Sequence, residues 1–442
     1  MTVLTSPRSR VTKTLGGSDA VTLLSCYVFL LMIVPSSLVV GSFGAAGAPS
    51  ALFAGALLCW YLVLRQNSAF QLDRGKQPMR LAAILFGCSI VATYVSANRS
   101  AMSLLQQNAA DRGLIVVAGW VAVLLLAADG IRTADRLRTL LRRIVAGATA
   151  ISVMGMVEFV TGSDLNKYVV IPGLTVHAQF TDLMNRDGLS RVTATTAQPL
   201  EYSAVLAMSL PLAIHQARNA PRALRLRRWL QVALIAVAMP MSVSRSAIFG
   251  LAVIAIVLLP TWPKRDRRRA YLALLASPLL VWLFAPGLLG DFGGLFSQIG
   301  TDSSSTSRTG AYSASVPFIA HHPWFGQGFQ TFFPQTYFFV DNQYLTSLIE
   351  TGVVGALALL TLFVTGWLTA RSARLAAVDA QTRDLAQCLA ASVAAAAVSF
   401  GTFDGLEFSI APGLCFLLLG CVGAAWRLAG GRGRRDHSYS AG

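Results

Sequence analysis

Three arginines lie at positions of this 442-residue chain where a cation could do chemistry: Arg191, Arg245 and Arg308. Arg245 interrupts an otherwise apolar stretch, where a cation costs a few kcal/mol unless it is paired or reaches the membrane interface. A guanidinium group is planar, stays charged and can hold two oxygens of a phosphate at once. The three side chains could therefore bind a pyrophosphate. Each could also be an arginine that contacts lipid headgroups or water.

Asp341 and Asn342 begin a later apolar run, and Asp341 is a candidate general base. The simpler interpretation is a helix cap, whose side chain accepts the free backbone N–H groups of the first turn. Gly352 and Gly355 follow at helical spacing from Asp341, and small residues at that spacing allow close helix packing. This spacing predicts that the carboxylate points into a helix bundle, where it could deprotonate a hydroxyl group.

His321 and His322 precede an aromatic segment, PWFGQGFQTFF. The histidines fit either interfacial packing or acid–base catalysis, and the aromatic rings fit either a membrane-interface belt or a surface for sugar rings. The Gly-Gln-Gly sequence at residues 326–328 is too short to bind a phosphate and follows no strand, so the Rossmann and Walker interpretations fail.

Five acidic residues lie within apolar runs or at their borders. Carboxylates in a membrane usually pair with a cation or line a polar cavity. They are Glu158, Glu201, Glu350, Asp404 and Glu407. Of these, Glu201 and Glu350 could balance arginines, or they could form the proton path that a transporter needs.

The composition predicts the elements that must position these residues. The chain is 54% hydrophobic and only 13% charged, whereas about a quarter of the residues in a soluble domain are charged. Apolar runs of about 20 residues match the ~30 Å hydrocarbon core of a bilayer, which only helices or closed barrels can cross. The sequence therefore predicts an all-α polytopic integral membrane protein.

Twelve membrane-spanning helices are predicted. They lie at about residues 20–40, 50–64, 81–97, 113–128, 144–161, 199–217, 229–243, 247–262, 270–289, 341–370 (with a start near Asp341 or Tyr344), 385–402 and 406–426. Between the seventh and eighth, Ser244 to Ala247 (SRSA) must form a tight external turn or a re-entrant kink. The chain is otherwise a single transmembrane domain over residues 1–442, with a smaller extracytoplasmic loop at 162–198 and a large one at 291–343, between the ninth and tenth helices.

The basic residues set the orientation of these helices. Most of the 36 lysines and arginines fall in alternate loops, which the positive-inside rule assigns to the cytoplasm together with both termini. The net charge of +16 therefore reflects membrane topology, and nucleic acid is excluded as a partner. The candidate site residues then lie on the outer side.

The six cysteines all lie inside apolar runs and show no CxxC spacing. We therefore expect neither a disulfide framework nor a metal site, and no cofactor. The first apolar run is long enough to span the bilayer and is followed by no cleavage-site pattern, so we expect it to remain as an anchor.

Residues 190–370 resemble the superfamily of O-antigen ligases and O-antigen polymerases. Asp341-Asn342, nine residues, Gly352, two residues and Gly355 resemble its His/Asn-x9-GxxG motif. Upstream, SRSA resembles its external Ser-Arg turn, and residues 307–332 (SRTGAYSASVPFIAHHPWFGQGFQTF) resemble its large loop, which ends in HP-x-x-G-x-G. The segment at 191–213 is similar to the one that enters the preceding helix.

The resemblance implies a C-type glycosyltransferase-like fold and a metal-independent, inverting transfer from an undecaprenyl-diphosphate-linked glycan. Arg245 and Arg308, with Arg191, would bind the pyrophosphate. Asp341 stands where the motif has histidine, so His322 is a second candidate base. Asn342, Glu350, Gly352 and Gly355 would support the site.

The aspartate favours a polymerase of O-antigen or exopolysaccharide repeat units in the inner membrane of a bacterium. A ligase that transfers the glycan to a lipid or another acceptor is the alternative in the same class. A transporter for lipid-linked oligosaccharides and a structural membrane scaffold are alternatives of other classes. A chain-length regulator or a flippase would be the expected protein partner of a polymerase.

Overall fold

The structure is a computed structural model. It describes residues 19–41, 46–66, 75–99, 102–176, 185–186, 189–272, 275 and 303–439, and within these ranges the side chains of 185–186, 189–190, 303–309 and 431–439 are excluded. The helices of the described residues are α1 (Ala20–Ile33), α2 (Pro49–Gln66), α3 (Pro78–Ala97), α4 (Leu104–Gly130), α5 (Ala134–Thr161), α6 (Pro199–Arg218), α7 (Arg222–Ala238), α8 (Arg245–Leu258), α9 (Ser303–His321), α10 (Gln343–Glu350), α11 (Gly352–Ala376), α12 (Ala380–Phe400) and α13 (Ile410–Tyr439).

Two short antiparallel strand pairs lie outside the helices. β1 (Leu38–Val39) pairs with β2 (Thr175–Val176), and β3 (Asn185–Arg186) pairs with β4 (Leu189–Ser190). The first pair attaches the segment after α5 to the end of α1. β2, β3 and β4 lie within the predicted extracytoplasmic loop at 162–198, whereas β1 follows α1.

Helix ends follow local signals in the sequence. Ser103 and Gln106 form a capping box at the start of α4, and the side chain of Asp379 accepts the backbone N–H of Thr382 at the start of α12. Such caps satisfy N–H groups that have no partner within the helix. At the end of α5, Gly162 adopts the left-handed conformation that often terminates helices.

Five helices of the described residues are long and apolar enough to cross a membrane: α3, α4, α5, α11 and the part of α13 from Ile410 to Gly430. Two shorter apolar helices are Ala20–Ile33 and Arg245–Thr261. The protein is therefore a mostly helical membrane protein, as predicted, whereas twelve spans and the side of each loop stay predictions.

Several predicted elements differ from the structure. The first helix, expected to reach residue 40, ends at Ile33. The tenth is two helices, α10 and α11, which meet at Thr351. The loop predicted at 291–343 contains a helix of its own, α9. The ninth predicted helix, at 270–289, lies almost entirely outside the described residues.

The core is centred on α13, which packs against α4, α11 and α6. Phe416 of α13 lies between Phe86 of α3 and Trp120 of α4, with ring centroids 5.5 and 5.6 Å away. Of the apolar part of α13, 78% is buried inside the protein, whereas only 44% of the apolar part of α3 is buried. The outer helices thus leave apolar faces for lipid, and α13 does not.

Acidic residues at the predicted cytoplasmic end of the bundle pair with arginines. The Asp129 carboxylate accepts hydrogen bonds from Arg80 at 2.7 Å and from the Tyr61 hydroxyl at 2.8 Å. Asp384 pairs in the same way with Arg218 at 2.8 Å and contacts Nδ1 of His215 at 2.6 Å. These bonds connect α3 to α4 and α6 to α12, so the basic loops contribute to packing as well as to topology.

Candidate functional site

At the opposite end of the bundle, buried carboxylates hold backbone N–H groups of the loops. Glu158, near the end of α5, accepts the N–H groups of Thr193 at 3.3 Å and Ala194 at 2.7 Å. Glu201, in the first turn of α6, accepts those of Ala197 at 2.9 Å and Ile410 at 2.8 Å. The segment after Arg191 is therefore fixed to α5, α6 and the start of α13.

Glu350 and Asp404 do the same for the loops that follow α9 and precede α10. Glu350 accepts the N–H group of Phe332 at 3.2 Å and that of Gln330. Asp404 accepts the N–H group of Asn342 at 3.0 Å and the hydroxyl of Thr346 at 2.6 Å. The four acids are at most 8% exposed. Glu201 and Glu350 thus anchor loops through backbone N–H groups, whereas their roles in balancing arginines or carrying protons stay predictions.

The SRSA segment forms a turn that leads into α8. A short 3-10 turn at Met239–Ser242 is followed by Val243 in the left-handed conformation, with φ of 47°. Ser244 then caps α8, so Arg245 is its first residue and is half-buried. Arg191 donates from Nε to the carbonyl oxygen of Ser242 at 3.2 Å, which attaches the Arg191 side chain to the turn that precedes Arg245.

Hydroxyl groups surround the start of α8. The Oγ atoms of Ser244 and Ser246 are 2.6 Å apart, and that of Ser203 in α6 lies 3.2 Å from Ser246. A helix N-terminus carries a partial positive charge and free N–H groups, which favours anions. Two arginines and three hydroxyls at this position are a suitable environment for a phosphate.

Arg308 lies in α9, one helical turn before Tyr312. The Tyr312 hydroxyl accepts a hydrogen bond from Nδ2 of Asn342 at 3.2 Å, so α9 contacts the start of α10 within a turn of Arg308. Phe318 of α9 adds an edge-to-face contact with Phe332, at 5.5 Å between ring centroids. Residues 276–302, which precede α9, lie outside the described residues.

Asp341 does not cap α10. The cap is Asn342, whose side chain accepts the N–H groups of Tyr344 at 3.0 Å and Leu345 at 3.4 Å. Asp341 precedes the cap with φ of 50° and is half-buried. Its own N–H group donates to the Asp404 carboxylate. The prediction that Asp341, Gly352 and Gly355 share one face of a continuous helix is therefore wrong, since Asp341 is outside α10 and both glycines are in α11.

Two glycines explain why the helix breaks. Gly352 has φ of +64°, and a Cβ there would lie 2.4 Å from the carbonyl carbon of Trp324. Gly326 has φ of +66°, and a Cβ there would lie 2.2 Å from the carbonyl group of Glu350. Only glycine fits such an approach without strain. The N–H group of Gly328 donates to the carbonyl of Glu350 at 2.9 Å, and that of Val353 to Pro323 at 2.8 Å. Backbone hydrogen bonds thus join the segment at 323–328 to the segment at 350–353.

His321 and His322 end α9 and begin this loop. Their ring centroids are 6.3 Å apart, His321 is exposed and His322 is half-buried. The carbonyl of His322 accepts the N–H group of Gly326 at 3.0 Å. His322 is therefore attached to the loop that Glu350 anchors.

Hydrogen bonds place the starts of four helices at one end of the bundle. Ser246 of α8 contacts Ser203 of α6, Glu201 of α6 contacts Ile410 of α13, and the N–H group of Leu406 donates to Oε1 of Gln343 in α10 at 2.7 Å. The Arg191–Arg245 turn and the Asp341 loop accordingly lie on the same side of the protein.

Burial raises the pKa of two carboxyl groups at this end of the bundle. It raises the pKa of the Asp404 carboxyl from 3.8 to about 6, with the charge of Asp341 adding to the effect and the bond from Thr346 opposing it. Burial also raises the pKa of Glu407, whose carboxyl feels the charges of Glu350 and Asp404. Glu407, Gln330 and Trp120 line a cavity of about 30 Å³ beside α1, α2 and α4.

Asp404 and Tyr312 are the site residues that the candidate set lacked. In the sequence, Asp404 is only one of several carboxylates at the borders of apolar runs. Its partners Asn342 and Thr346 lie 62 and 58 positions away in the sequence, and no spacing of residue types predicts these contacts. Tyr312 could have been found, because it follows Arg308 by one helical turn within a loop that also holds the aromatic segment.

Among the described residues, His215, Asp384 and Cys388 have ligand atoms within 4.8 Å of one another, which is the spacing that a metal ion requires. They lie at the predicted cytoplasmic end, where Asp384 is already paired with Arg218. This group is distant in the fold from the loops that carry Arg245 and Asp341.

Comparison with known families finds a match to the O-antigen ligase domain over residues 230–360. The matched segment runs from α7 into α11 and includes Arg245, Arg308, His322, Asp341 and Glu350, whereas Arg191 and Asp404 lie outside it. A comparison with curated proteins finds no match. The match supports the resemblance of this chain to the superfamily of O-antigen ligases and O-antigen polymerases, and the helical membrane architecture agrees with it.

Proposed function

We propose that this protein is a membrane glycosyltransferase that polymerises undecaprenyl-diphosphate-linked oligosaccharide repeat units on the outer side of the bacterial inner membrane. The observation that carries the proposal is the O-antigen ligase domain at 230–360, which contains both Arg245 and Asp341. The hydrogen bonds that gather the starts of α6, α8, α10 and α13 at one end of the bundle support a single site there.

Arg191 and Arg245 are assigned to the diphosphate of the donor. The start of α8 adds its N–H groups and partial positive charge, so the anion is held before the reaction and stabilised further as charge develops on the leaving group. Arg308 is assigned to the same anion from α9. Each arginine can supply two parallel hydrogen bonds to phosphate oxygens.

Asp341 is assigned as the general base. An acceptor hydroxyl oxygen attacks the anomeric carbon of the donor, its proton passes to the Asp341 carboxylate, and the bond between that carbon and the phosphate oxygen breaks. The electron pair leaves with the lipid diphosphate. Attack from the side opposite the leaving group inverts the anomeric centre, and none of these steps calls on a metal ion. His322 is the second candidate base.

Aspartate in place of the histidine of the family motif favours a polymerase over a ligase, because a different base accompanies a different acceptor. The ligase is the second candidate, and the description of the matched domain favours it. Both reactions use the same donor and differ only in what accepts the glycan.

The test is a transfer assay with purified protein in detergent, a lipid-diphosphate-linked repeat unit and a metal chelator. A ladder of products that grows by one repeat unit at a time is the expected result. A single transfer to an added lipid acceptor, without a ladder, would identify a ligase. No transfer in either format, with or without added divalent cations, would contradict the proposal.

A further inference from the structure

The loop between α12 and α13 places the buried carboxylate of Asp404 against the backbone of Asp341, the proposed base. Asp404 is only 8% exposed. Its Oδ1 atom accepts the N–H group of Asn342 at 3.0 Å and the hydroxyl of Thr346 at 2.6 Å, and its carboxylate also accepts the N–H group of Asp341. Three donors from the start of α10 thus meet on one side chain.

Neighbouring backbone contacts join the same two segments. The N–H group of Gln343 donates to the carbonyl of Phe403 at 3.2 Å, and the N–H group of Leu406 donates to Oε1 of Gln343 at 2.7 Å. Residues 403–406 therefore bind the start of α10 on both sides of Asp404.

The conformation of Asp341 explains why such a hold is needed. Its φ of 50° is in the left-handed region, which costs about 1 kcal/mol or more for a residue with a side chain and persists only where the surroundings fix it. Rotating this residue to an ordinary conformation would turn its carboxylate in another direction. The N–H bonds to Asp404 oppose that rotation.

We infer that Asp404 is a positioning residue for the transfer reaction: its carboxylate fixes the left-handed backbone of Asp341 and so sets where the Asp341 side chain lies. Its catalytic consequence rests on the proposed function, whereas its effect on the backbone does not. Asp404 lies outside the matched domain at 230–360.

The ionised form of Asp404 is the form that holds the loop, because a carboxylate accepts N–H bonds more strongly than a neutral acid does. The titratable groups around it are acidic: Asp341 from the segment before α10, Glu350 from the end of α10 and Glu407 from its own loop. Burial and the charge of Asp341 raise the pKa of Asp404 to about 6. The hold should therefore weaken as the pH falls below about 6.

The first arm of the test measures amide hydrogen exchange of residues 341 and 342 in the purified full chain, by mass spectrometry. Asp404→Ala should raise the exchange rate of these amides at least tenfold, and Asp404→Asn should raise it less, because its carbonyl oxygen still accepts. Thr346→Val is the matched control, since it removes a donor from Asp404 and leaves both N–H bonds. Unchanged exchange in Asp404→Ala would overturn the inference.

The second arm measures transfer as a function of pH. Asp404→Ala should lower kcat at least tenfold with little change in KM for the donor. In Asp404→Asn the acid side of the kcat profile should move to lower pH. If the acid side of the kcat profile of Asp404→Asn stays at the wild-type pH, the inference is overturned. If Asp404→Ala does not fold, the result for Asp404→Asn is decisive on its own. A wild-type protein that transfers nothing would contradict the proposed function, while the exchange arm would still decide the backbone role.

Discussion

Arg245 combines several features of an anion-binding residue. It is the first residue of α8, half-buried, next to two serine hydroxyls and in the same turn as the carbonyl to which Arg191 is bonded. A solvated arginine would need none of this arrangement. Its role is separable from a purely structural one, because lysine keeps the charge and loses the planar pair of donors.

We predict that Arg245→Ala lowers kcat/KM for the lipid-diphosphate donor by about 10²–10³-fold, as removal of a donor to developing charge does elsewhere. Arg245→Lys should recover part of the loss, because it restores the charge alone. Initial rates of transfer at varied donor concentration measure both. Arg99→Ala, which removes an exposed arginine just after α3, is the control; an equal loss there would refute the assignment.

The titration of Asp404 should also affect stability, in the direction opposite to its effect on transfer. Because the folded-state pKa is raised above 3.8, the native state binds this proton more tightly than the unfolded state does. The stabilisation is therefore fully present below about pH 4 and is lost as the pH rises through about 6. As the pH rises from about 4 to about 6, the thermal midpoint in detergent should decrease more for the wild type than for Asp404→Asn. Parallel pH profiles would contradict the shift.

At the scale of elements, the break between α10 and α11 is the feature that the site depends on. Gly352 and Gly326 bring the loop after α9 against the end of α10, and Glu350 then anchors that loop. The sequence from 341 to 370 predicts one helix, because glycines inside an apolar run also occur within membrane helices that pack closely. The backbone conformation that Gly352 adopts is set by Trp324, which is 28 positions away in the sequence.

Gly352→Ala should therefore destabilise the protein by about 2 kcal/mol or more, since it adds a left-handed alanine and a contact with the Trp324 backbone. Gly55→Ala is the matched control, because a Cβ there meets nothing within 4 Å and the residue is inside α2. Thermal midpoints in the same detergent compare the two. A Gly352→Ala midpoint equal to that of Gly55→Ala would mean that the break tolerates a side chain.

Most of the helices could be predicted from the sequence, because lipid requires long apolar helices and the basic loops mark their ends. The candidate set also included the residues of the Ser-Arg turn and of the Asp341 loop. The anchoring acids could not be assigned, because each acts on backbone N–H groups of a distant segment: Glu201 on Ile410, and Asp404 on Asn342. A side chain that binds the main chain leaves no pattern in residue types at its partner.

At the scale of the whole molecule, the two ends of the bundle use acids differently. At the predicted cytoplasmic end Asp129 and Asp384 pair with arginines, whereas at the other end Glu158, Glu201, Glu350 and Asp404 hold loops. This division agrees with a site for an anionic substrate on the outer side.

The predicted orientation places Ser163 outside and Ala380 in the cytoplasm, and both residues are exposed. A cysteine introduced at Ser163 should react with a membrane-impermeant maleimide in right-side-out vesicles. One introduced at Ala380 should react only in inside-out vesicles. The unsubstituted protein, with its six cysteines, gives the background. The reverse labelling pattern would place the candidate site in the cytoplasm and would contradict a reaction on the outer side.

The most direct test of the central claim is the initial rate of glycosyl transfer by Asp341→Asn, measured beside Asp111→Asn. Asp111 is an exposed aspartate of α4 whose carboxylate accepts a hydrogen bond from Tyr94. Loss of a general base is expected to lower kcat by about 10²–10⁴-fold. The account predicts this loss for Asp341→Asn, with an unchanged thermal midpoint, and a near-wild-type rate for Asp111→Asn. A folded Asp341→Asn protein that builds the product ladder at the wild-type rate would contradict it.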